Sequence, residues 1–362
     1  MSQYGMMTTG YEASEIMGAT MSEFPYHKSL RLINFTAFAD VELEFTPSIN
    51  VLIGENGTGK THVMKAMYAW QVYQSRQRAN IYSTLGQLFQ TGDLSILFRM
   101  GSRANKATVS GKFGSEEWNY TVTRGTGIIA EAGLIATQVQ RPVFVPAIDM
   151  MGHTKGFLAA ANEVVIDFDL TCTDLVALMS LKRKNGFEQT DVPKPLAALL
   201  GGTLEYDEYD SRFYLATPSG RMPMPMVAEG IRKVSTLVRL LQNGWLAPGS
   251  TLFWDEPEVN VNPVIMDELI SAIFYLARRG MQVFLATHSY VILKELDLQA
   301  NSADNVRFFS LHGSKSGTRV TTATSLSALE PNPISRQYAS LYDRDLDRAL
   351  GKGQRRAAVH RE

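Results

Sequence analysis

The sequence predicts an α/β fold: a mixed sheet carrying an anion-binding loop, with an antiparallel β-subdomain and a compact helical insertion. Three observations predict it. A strand-like apolar run at 49–53 leads into Gly54-Glu55-Asn56-Gly57-Thr58-Gly59-Lys60-Thr61, and a helical pattern follows at once. Two later apolar runs end in chemistry-bearing residues: 251–254 in Asp255-Glu256, and 283–287, one βαβ unit on, in His288-Ser289. Between the loop and these runs lie short alternating strands and a block of helical periodicity.

The loop fits Gly-x4-Gly-Lys-[Ser/Thr] at every fixed position. Gly54, Gly57 and Gly59 let the backbone turn its N–H groups inward around an anion, with Glu55, Asn56 and Thr58 between them. The helix that starts near Lys60 and runs through His62 adds the positive end of its dipole. Lys60 is expected to reach the β- and γ-phosphates of ATP and the Thr61 hydroxyl to ligate Mg2+. A glycine-rich turn matching by accident would lack the flanking strand and helix.

Composition bounds the rest. The chain has 362 residues, 45% of them hydrophobic, enough for a large core. A formal net charge of −1 argues against a wholesale basic nucleic-acid binder, so DNA contact has to be argued locally. A single cysteine, Cys172, excludes an intramolecular disulfide framework and suits a reducing cytoplasm. No apolar run approaches the roughly 20 residues that cross a bilayer, and no membrane role is expected.

Residues 1–26 read as a flexible extension. The first ATPase lobe is expected over 27–150, with antiparallel strands at 30–35 and 41–45, the phosphate loop, a helix at 62–77, and strand-like pieces at 94–100, 107–113 and 118–123. Arg99, Arg103 and Lys106 form a modest basic cluster there, a solvated rim or a DNA contact. A strand at 142–146 leads to Asp149.

A helical insertion or arm is expected over 151–225, with helices at 157–164, 170–182 and 195–200, then strands at 203–206 and 212–216 joined to a Pro-Ser-Gly turn. The run Lys182-Arg183-Lys184-Asn185 suits a helix C-terminus or a phosphate backbone. No heptad repeat persists, so long coiled-coil arms are not expected.

The second lobe is expected over 226–330. Ala228-Glu229-Gly230-Ile231-Arg232-Lys233 opens an amphipathic helix. A glycine at a helix start makes a second anion-binding amide cluster, so this turn is expected to contact the γ-phosphate held by another copy of the chain. Asp255 is expected to hold Mg2+ with Thr61, and Glu256 to act as general base on the attacking water. His288 is placed to hydrogen-bond the γ-phosphate, though a lone histidine can also be structural. A C-terminal helix and tail, 331–362, carry Asp343, Asp345 and Asp347, then Arg355, Arg356 and Arg361.

Taken in order, the loop, the long insertion, Glu229-Gly230-x-Arg232-Lys233, Asp255-Glu256-Pro257-Glu258 and Thr287-His288-Ser289 resemble the P-loop NTPase heads of ABC type in the RecF, SMC and overcoming-lysogenisation-defect group, over about 28–296. Closer still is the likeness to short bacterial AAA-family ATPases of anti-phage defence operons, through Ala228-Glu229-Gly230-x-Arg232-Lys233, Phe253-Trp254-Asp255-Glu256-Pro257-Glu258 and Ala286-Thr287-His288.

The resemblance implies an ATP sandwich homodimer or higher oligomer, hydrolysing ATP to ADP and phosphate, that controls an effector such as a nuclease or toxin. It places an adenine contact at Asn34, within 34–38, which are otherwise plain sheet residues, and offers Asp149 where the group has a metal-reaching Gln, although a loop Asp equally suits a cap on the next helix. Ala228 replaces the usual signature serine, and Asn262 stands where relatives have His, so the cross-dimer contact falls to Gly230, Arg232 or Lys233. The stretch after His288 is too short for the relatives' nuclease domain, which implies a separately encoded effector. The alternatives are a DNA repair clamp of RecF type, a transporter nucleotide-binding subunit and a small-molecule kinase. The missing Leu-Ser-Gly-Gly-Gln motif counts against the transporter, and the combined motif set against the kinase.

Overall fold

The computed structural model describes residues 24–75, 80–125, 127–128, 135–163, 168–182, 192–314 and 317–350. Residues 1–23 of the expected extension, Arg183 to Asn185 of the basic run and the three tail arginines lie outside the described residues.

The chain opens with β1 (His27–Phe35), β2 (Phe38–Glu44) and β3 (Ile49–Gly54), followed by α1 (Lys60–Gln74) and α2 (Ile81–Leu88). Next come β4 (Lys106–Phe113), β5 (Glu116–Thr123), β6 (Gly127–Ile128) and β7 (Val143–Val145). The insertion contributes α3 (Phe157–Asn162), α4 (Leu170–Ser180), α5 (Lys194–Leu200), β8 (Thr203–Asp207), β9 (Arg212–Thr217) and β10 (Gly220–Pro223). The rest runs α6 (Glu229–Gln242), β11 (Thr251–Asp255), α7 (Met266–Arg278), β12 (Gln282–Ala286), α8 (Tyr290–Gln299), β13 (Val306–Ser314), β14 (Gly317–Ala323) and α9 (Pro333–Ala349).

Three sheets organise these elements. A six-stranded mixed sheet has the order β14-β13-β3-β12-β11-β7, all neighbours parallel except the β13–β14 hairpin. A five-stranded antiparallel sheet, β2-β1-β4-β5-β6, stands beside it, and β10-β9-β8 forms a third.

Strand alternation explains why the central sheet is apolar on both faces. Ile49, Val51 and Ile53 of β3, Leu252 and Trp254 of β11 and Val283 and Leu285 of β12 enter one core. Leu52, Phe253, Phe284 and Ala286 enter the other. That second core holds α1, whose Met64, Met67, Tyr68 and Trp70 are buried between the two larger sheets. Trp70 stacks on Trp118 of β5 at 4.4 Å between ring centroids. Burying an aromatic side chain of this size contributes about 2–3 kcal/mol.

A buried polar network crosses the same seam. His27 Nε2 pairs with Gln71 Oε1 at 2.9 Å, Gln71 donates to Thr251 and to the Gln140 carbonyl, and Gln282 exchanges hydrogen bonds with the His27 backbone. Burial lowers the His27 pKa to about 4, with the Gln71 bond opposing.

The insertion shares a core with the second lobe: Leu175, Leu178, Leu196 and Phe213 lie in one cluster with Leu237, Leu241, Ile270 and Leu276. It is half sheet, because β10 pairs with β9 where the sequence pattern gives only a turn. Another difference falls at 94–100, expected as a strand. Asp93 accepts from Ser95 N at 2.8 Å and caps a 3-10 turn, Leu94–Leu97, leaving only a bridge between Phe98 and Phe35. Pro263–Ile265 forms a 3-10 turn that passes directly into α7.

Candidate nucleotide site

Register brings the functional loops to one place. Asp255 lies opposite Ala286, and Ala286 opposite Leu52, so β11, β12 and β3 end side by side. The loops leaving those ends carry Glu256, His288 and the glycine-rich turn. A crevice outside the carboxyl ends of parallel strands is where open α/β sheets bind ligands.

The turn depends on two glycines in particular. Gly54 sits at φ +148°, and a Cβ there would lie 2.2 Å from the Leu311 carbonyl oxygen. Gly59, at φ +98°, has the Phe38 ring 2.7 Å from where its Cβ would be, and it is the cap residue of α1. The loop is held from within: Lys60 Nζ donates to the carbonyls of Gly54 at 2.9 Å and Glu55 at 3.1 Å, and Thr58 Oγ1 donates to Glu55 O at 2.8 Å. Burial lowers the Lys60 pKa, opposed by Asp255, Glu256 and Glu258 in that order.

Thr61 Oγ1 donates to Asp255 Oδ2 at 2.7 Å. Burial raises the Asp255 pKa to about 6, partly offset by the Thr61 bond. A hydroxyl and a carboxylate oxygen in contact are a hard donor pair that fits Mg2+, and the buried carboxylate is short of positive charge. Among the described residues no three of His, Cys, Asp and Glu form a metal cluster, so phosphate and water oxygens would complete the shell. Bound Mg2+ supplies neutralisation of phosphate charge.

Glu256 follows at φ +47°, a left-handed conformation that costs a non-glycine residue energy and clusters at functional sites. Its Oε1 lies 3.4 Å from His288 Nε2. Burial and the charge of Lys60 lower the His288 pKa, opposed by Glu256 and Glu258, which keeps the ring neutral near pH 7. Glu258, to which sequence reasoning gave no role, accepts from Thr287 Oγ1 at 2.8 Å and from His288 N at 2.7 Å.

The start of α6 adjoins this cluster through the turn after Glu256. Lys233, buried in the chain, donates to Val259 O at 2.7 Å and Glu256 O at 3.3 Å. Asn260 Nδ2 donates to both carboxylate oxygens of Glu229 at 3.0 Å. Arg232 Nε donates to Asp149 Oδ2 at 2.6 Å and its Nη1 to Val227 O.

Lys233 and Arg232, offered by the sequence as cations for a neighbour alongside the Gly230 amide, both make hydrogen bonds within their own chain. What remains at the Ala228 cap is the first-turn amides of Glu229 and Gly230, which have no intrahelical acceptor. Of the two roles expected for Asp149, metal ligand or cap, the contacts present are those of a cap and ion-pair partner: its oxygens accept from Met151 N, Gly152 N and Arg232.

Asn34, next to the last residue of β1, has φ +53° and donates through Nδ2 to the Lys106 carbonyl at 2.9 Å. His62 is half-buried, its buried Nδ1 has no hydrogen-bond partner among the described residues and its ring lies against Phe89; desolvation lowers its pKa to about 4.

Comparison with known proteins agrees with this geometry. A family model described as "AAA domain, putative AbiEii toxin, Type IV TA system" matches residues 175–294, and one described as "AAA domain" matches 29–133. The DNA replication and repair protein RecF of Clostridium kluyveri is 38% identical over 50 residues, 14% of this chain and 14% of that protein. RecF of Listeria welshimeri is 40% identical over 53 residues, 15% and 14% of the respective chains. The match thus spans about one seventh of those relatives.

Among solved structures, an Smc head bound to the C-winged helix domain of ScpA aligns at TM-score 0.56 and 13% identity, covering 84% of this chain and 99% of that one. An Smc head with an extended coiled coil, bound to the C-terminal domain of ScpA derived from Pyrococcus furiosus, aligns at TM-score 0.52 and 10% identity, covering 84% and 97%. Those two likenesses speak for the fold, and the two AAA matches lie on either side of residues 134–174, one holding the phosphate loop and the other the Asp255-Glu256 and His288 ends. The chain carries a P-loop, has the fold of an ABC-ATPase head, and is similar to AAA domains over 29–133 and 175–294.

Proposed function

We propose that the chain is an ATP-hydrolysing switch that pairs with a second copy around bound nucleotide and thereby controls a separately encoded effector in anti-phage defence. The observation that carries the proposal is the convergence of Lys60, Thr61–Asp255, Glu256 and His288 at one sheet end, beside a helix start whose cap residue Ala228 makes no side-chain hydrogen bond to the first-turn amides. Lys60 holds phosphate, Glu256 orients a water and takes its proton, and neutral His288 hydrogen-bonds the terminal phosphate. The turn at Gly230 completes the neighbour's site. Supporting an effector are the AbiEii and Type IV TA description of the matched family and the Smc heads solved with pieces of a separate protein, ScpA.

The test combines phosphate release with mass measurement by light scattering. Glu256→Gln is expected to slow hydrolysis about 100-fold or more while running as a dimer with ATP, and Lys60→Ala to bind no ATP and stay unpaired. A Glu256→Gln protein that hydrolyses at the wild-type rate, or does not pair on ATP, would sink the proposal.

A second reading, a DNA clamp of RecF type, draws on the RecF matches and on Arg103 and Lys106, both exposed near the start of β4. Hydrolysis stimulated by double-stranded DNA, and lost with both residues changed to Glu, would favour it.

A further inference from the structure

We propose that Glu258 is the positioning residue that holds His288 in place against Glu256, and that it passes movement of the α6 start to that histidine. The inference rests on the ATPase reading above. Positive φ at Glu256 (+47°) and Asn260 (+58°) curls the chain after β11 into a tight turn, and Glu258 projects from that turn onto a segment about 30 residues away. One carboxylate oxygen organises three consecutive residues there. Oε1 accepts from the Thr287 hydroxyl and the His288 amide, and the same hydroxyl accepts from Ser289 N at 2.9 Å. Ser289 in turn caps α8 by accepting from Ile292 N.

A local cap cannot account for this. Glu258 satisfies no amide of its own turn through its side chain, and among the described residues its Oε2 is buried without a partner. A carboxylate kept half desolvated on one oxygen, with the other joined to the loop that presents His288, is placed for that loop.

The other side of the turn is fastened to α6: Lys233 holds the carbonyls of Glu256 and Val259, and Asn260 holds Glu229. The turn therefore lies between the helix start expected to meet a neighbour's phosphate and the histidine expected to meet its own. Glu258 is its link to the histidine.

The test uses the full chain with ATP, comparing Glu258→Ala, Glu258→Gln, His288→Ala and the Glu258→Ala/His288→Ala double variant. Glu258→Ala is expected to lower kcat about tenfold or more, with KM for ATP within about twofold, because misplacement affects chemistry more than phosphate binding. Glu258→Gln keeps an acceptor oxygen for both donors and is expected to restore most of kcat. The double variant is expected to be no slower than His288→Ala alone, since the two residues act as a unit.

Additive losses, a Gln variant as slow as Ala, or an Ala variant with wild-type kcat would each overturn the proposal. Amide exchange in nucleotide-free protein separates it from the ATPase reading. The His288 amide is expected to lose protection in Glu258→Ala and keep it in Glu258→Gln, and unchanged protection in Ala overturns the tether. Should the wild type release no phosphate from ATP, the ATPase reading falls, and the exchange result alone decides whether Glu258 holds the loop.

Discussion

The Thr61 hydroxyl donates to Asp255 Oδ2 at 2.7 Å, joining the first turn of α1 to the end of β11 across 194 residues of chain. Because burial raises the Asp255 pKa from 3.8 to about 6, the folded state holds that proton more tightly than the unfolded chain. The associated stability is fully present below pH 3.8 and is lost as pH rises through about 6. Asp255→Asn removes the buried charge while keeping an acceptor for Thr61. It is expected to stabilise nucleotide-free protein above pH 6 by on the order of 2–3 kcal/mol, a gain that vanishes near pH 4, while abolishing Mg2+-dependent hydrolysis. Calorimetry across that range checks the first effect and phosphate release the second.

His27 has the opposite sign. Its pKa falls from 6.5 to about 4 on burial, so the stability tied to its neutral ring is present above pH 6.5 and lost as pH falls toward 4. His27→Gln, which retains a donor for Gln71, is expected to flatten the decline in melting temperature over that window. An unchanged slope would show that His27 stays neutral in the unfolded chain or is protonated without cost in the folded one.

The glycines of the loop are not equivalent. Alanine at Gly54 meets the Leu311 carbonyl, whereas alanine at Gly57 meets nothing within 4 Å and pays only for φ +78°. Gly57→Ala is expected to cost about 1 kcal/mol, and Gly54→Ala several times that together with nucleotide binding. Denaturation midpoints and ATP affinity distinguish the two.

Arg232 and Asp149 form an ion pair in which the side chains are 15% and 5% exposed. Removing either partner strands a buried charge, so Arg232→Ala or Asp149→Ala is expected to cost about 3–5 kcal/mol. The double variant Arg232→Met/Asp149→Leu is expected to lose less than the two single changes added together, which a double-mutant cycle measures.

Much of this was legible in the sequence because the informative signals are local. A strand, a glycine-rich turn and a helix in succession fix the phosphate loop, and an apolar strand ending in Asp255-Glu256 announces itself without knowledge of its neighbours. The order of the central sheet, with β12 inserted between β3 and β11, is not readable from buried strands alternating with helices. What escaped depends on contacts between distant segments. The pairing of Arg232 with Asp149 joins positions 83 apart, and the burial of Lys233 against the Val259 and Glu256 carbonyls is invisible in a run of charged residues at a helix start. Glu258 was read as part of a motif, and only the fold shows that its carboxylate reaches the His288 amide. The stretch 94–100 misled because its apolar residues have strand character while Asp93, just outside it, supplies a cap.

Strand β3 is the one member of the central sheet that hydrogen-bonds β12 on one edge and β13 on the other, and every residue of it is buried. Its amide protons are expected to reach solvent only when the sheet opens, so the glycine turn hangs from one of the best-protected strands of the molecule. A pliable cradle on an immovable stem confines any ligand-driven rearrangement to the rim of the sheet and leaves its centre as the fixed frame.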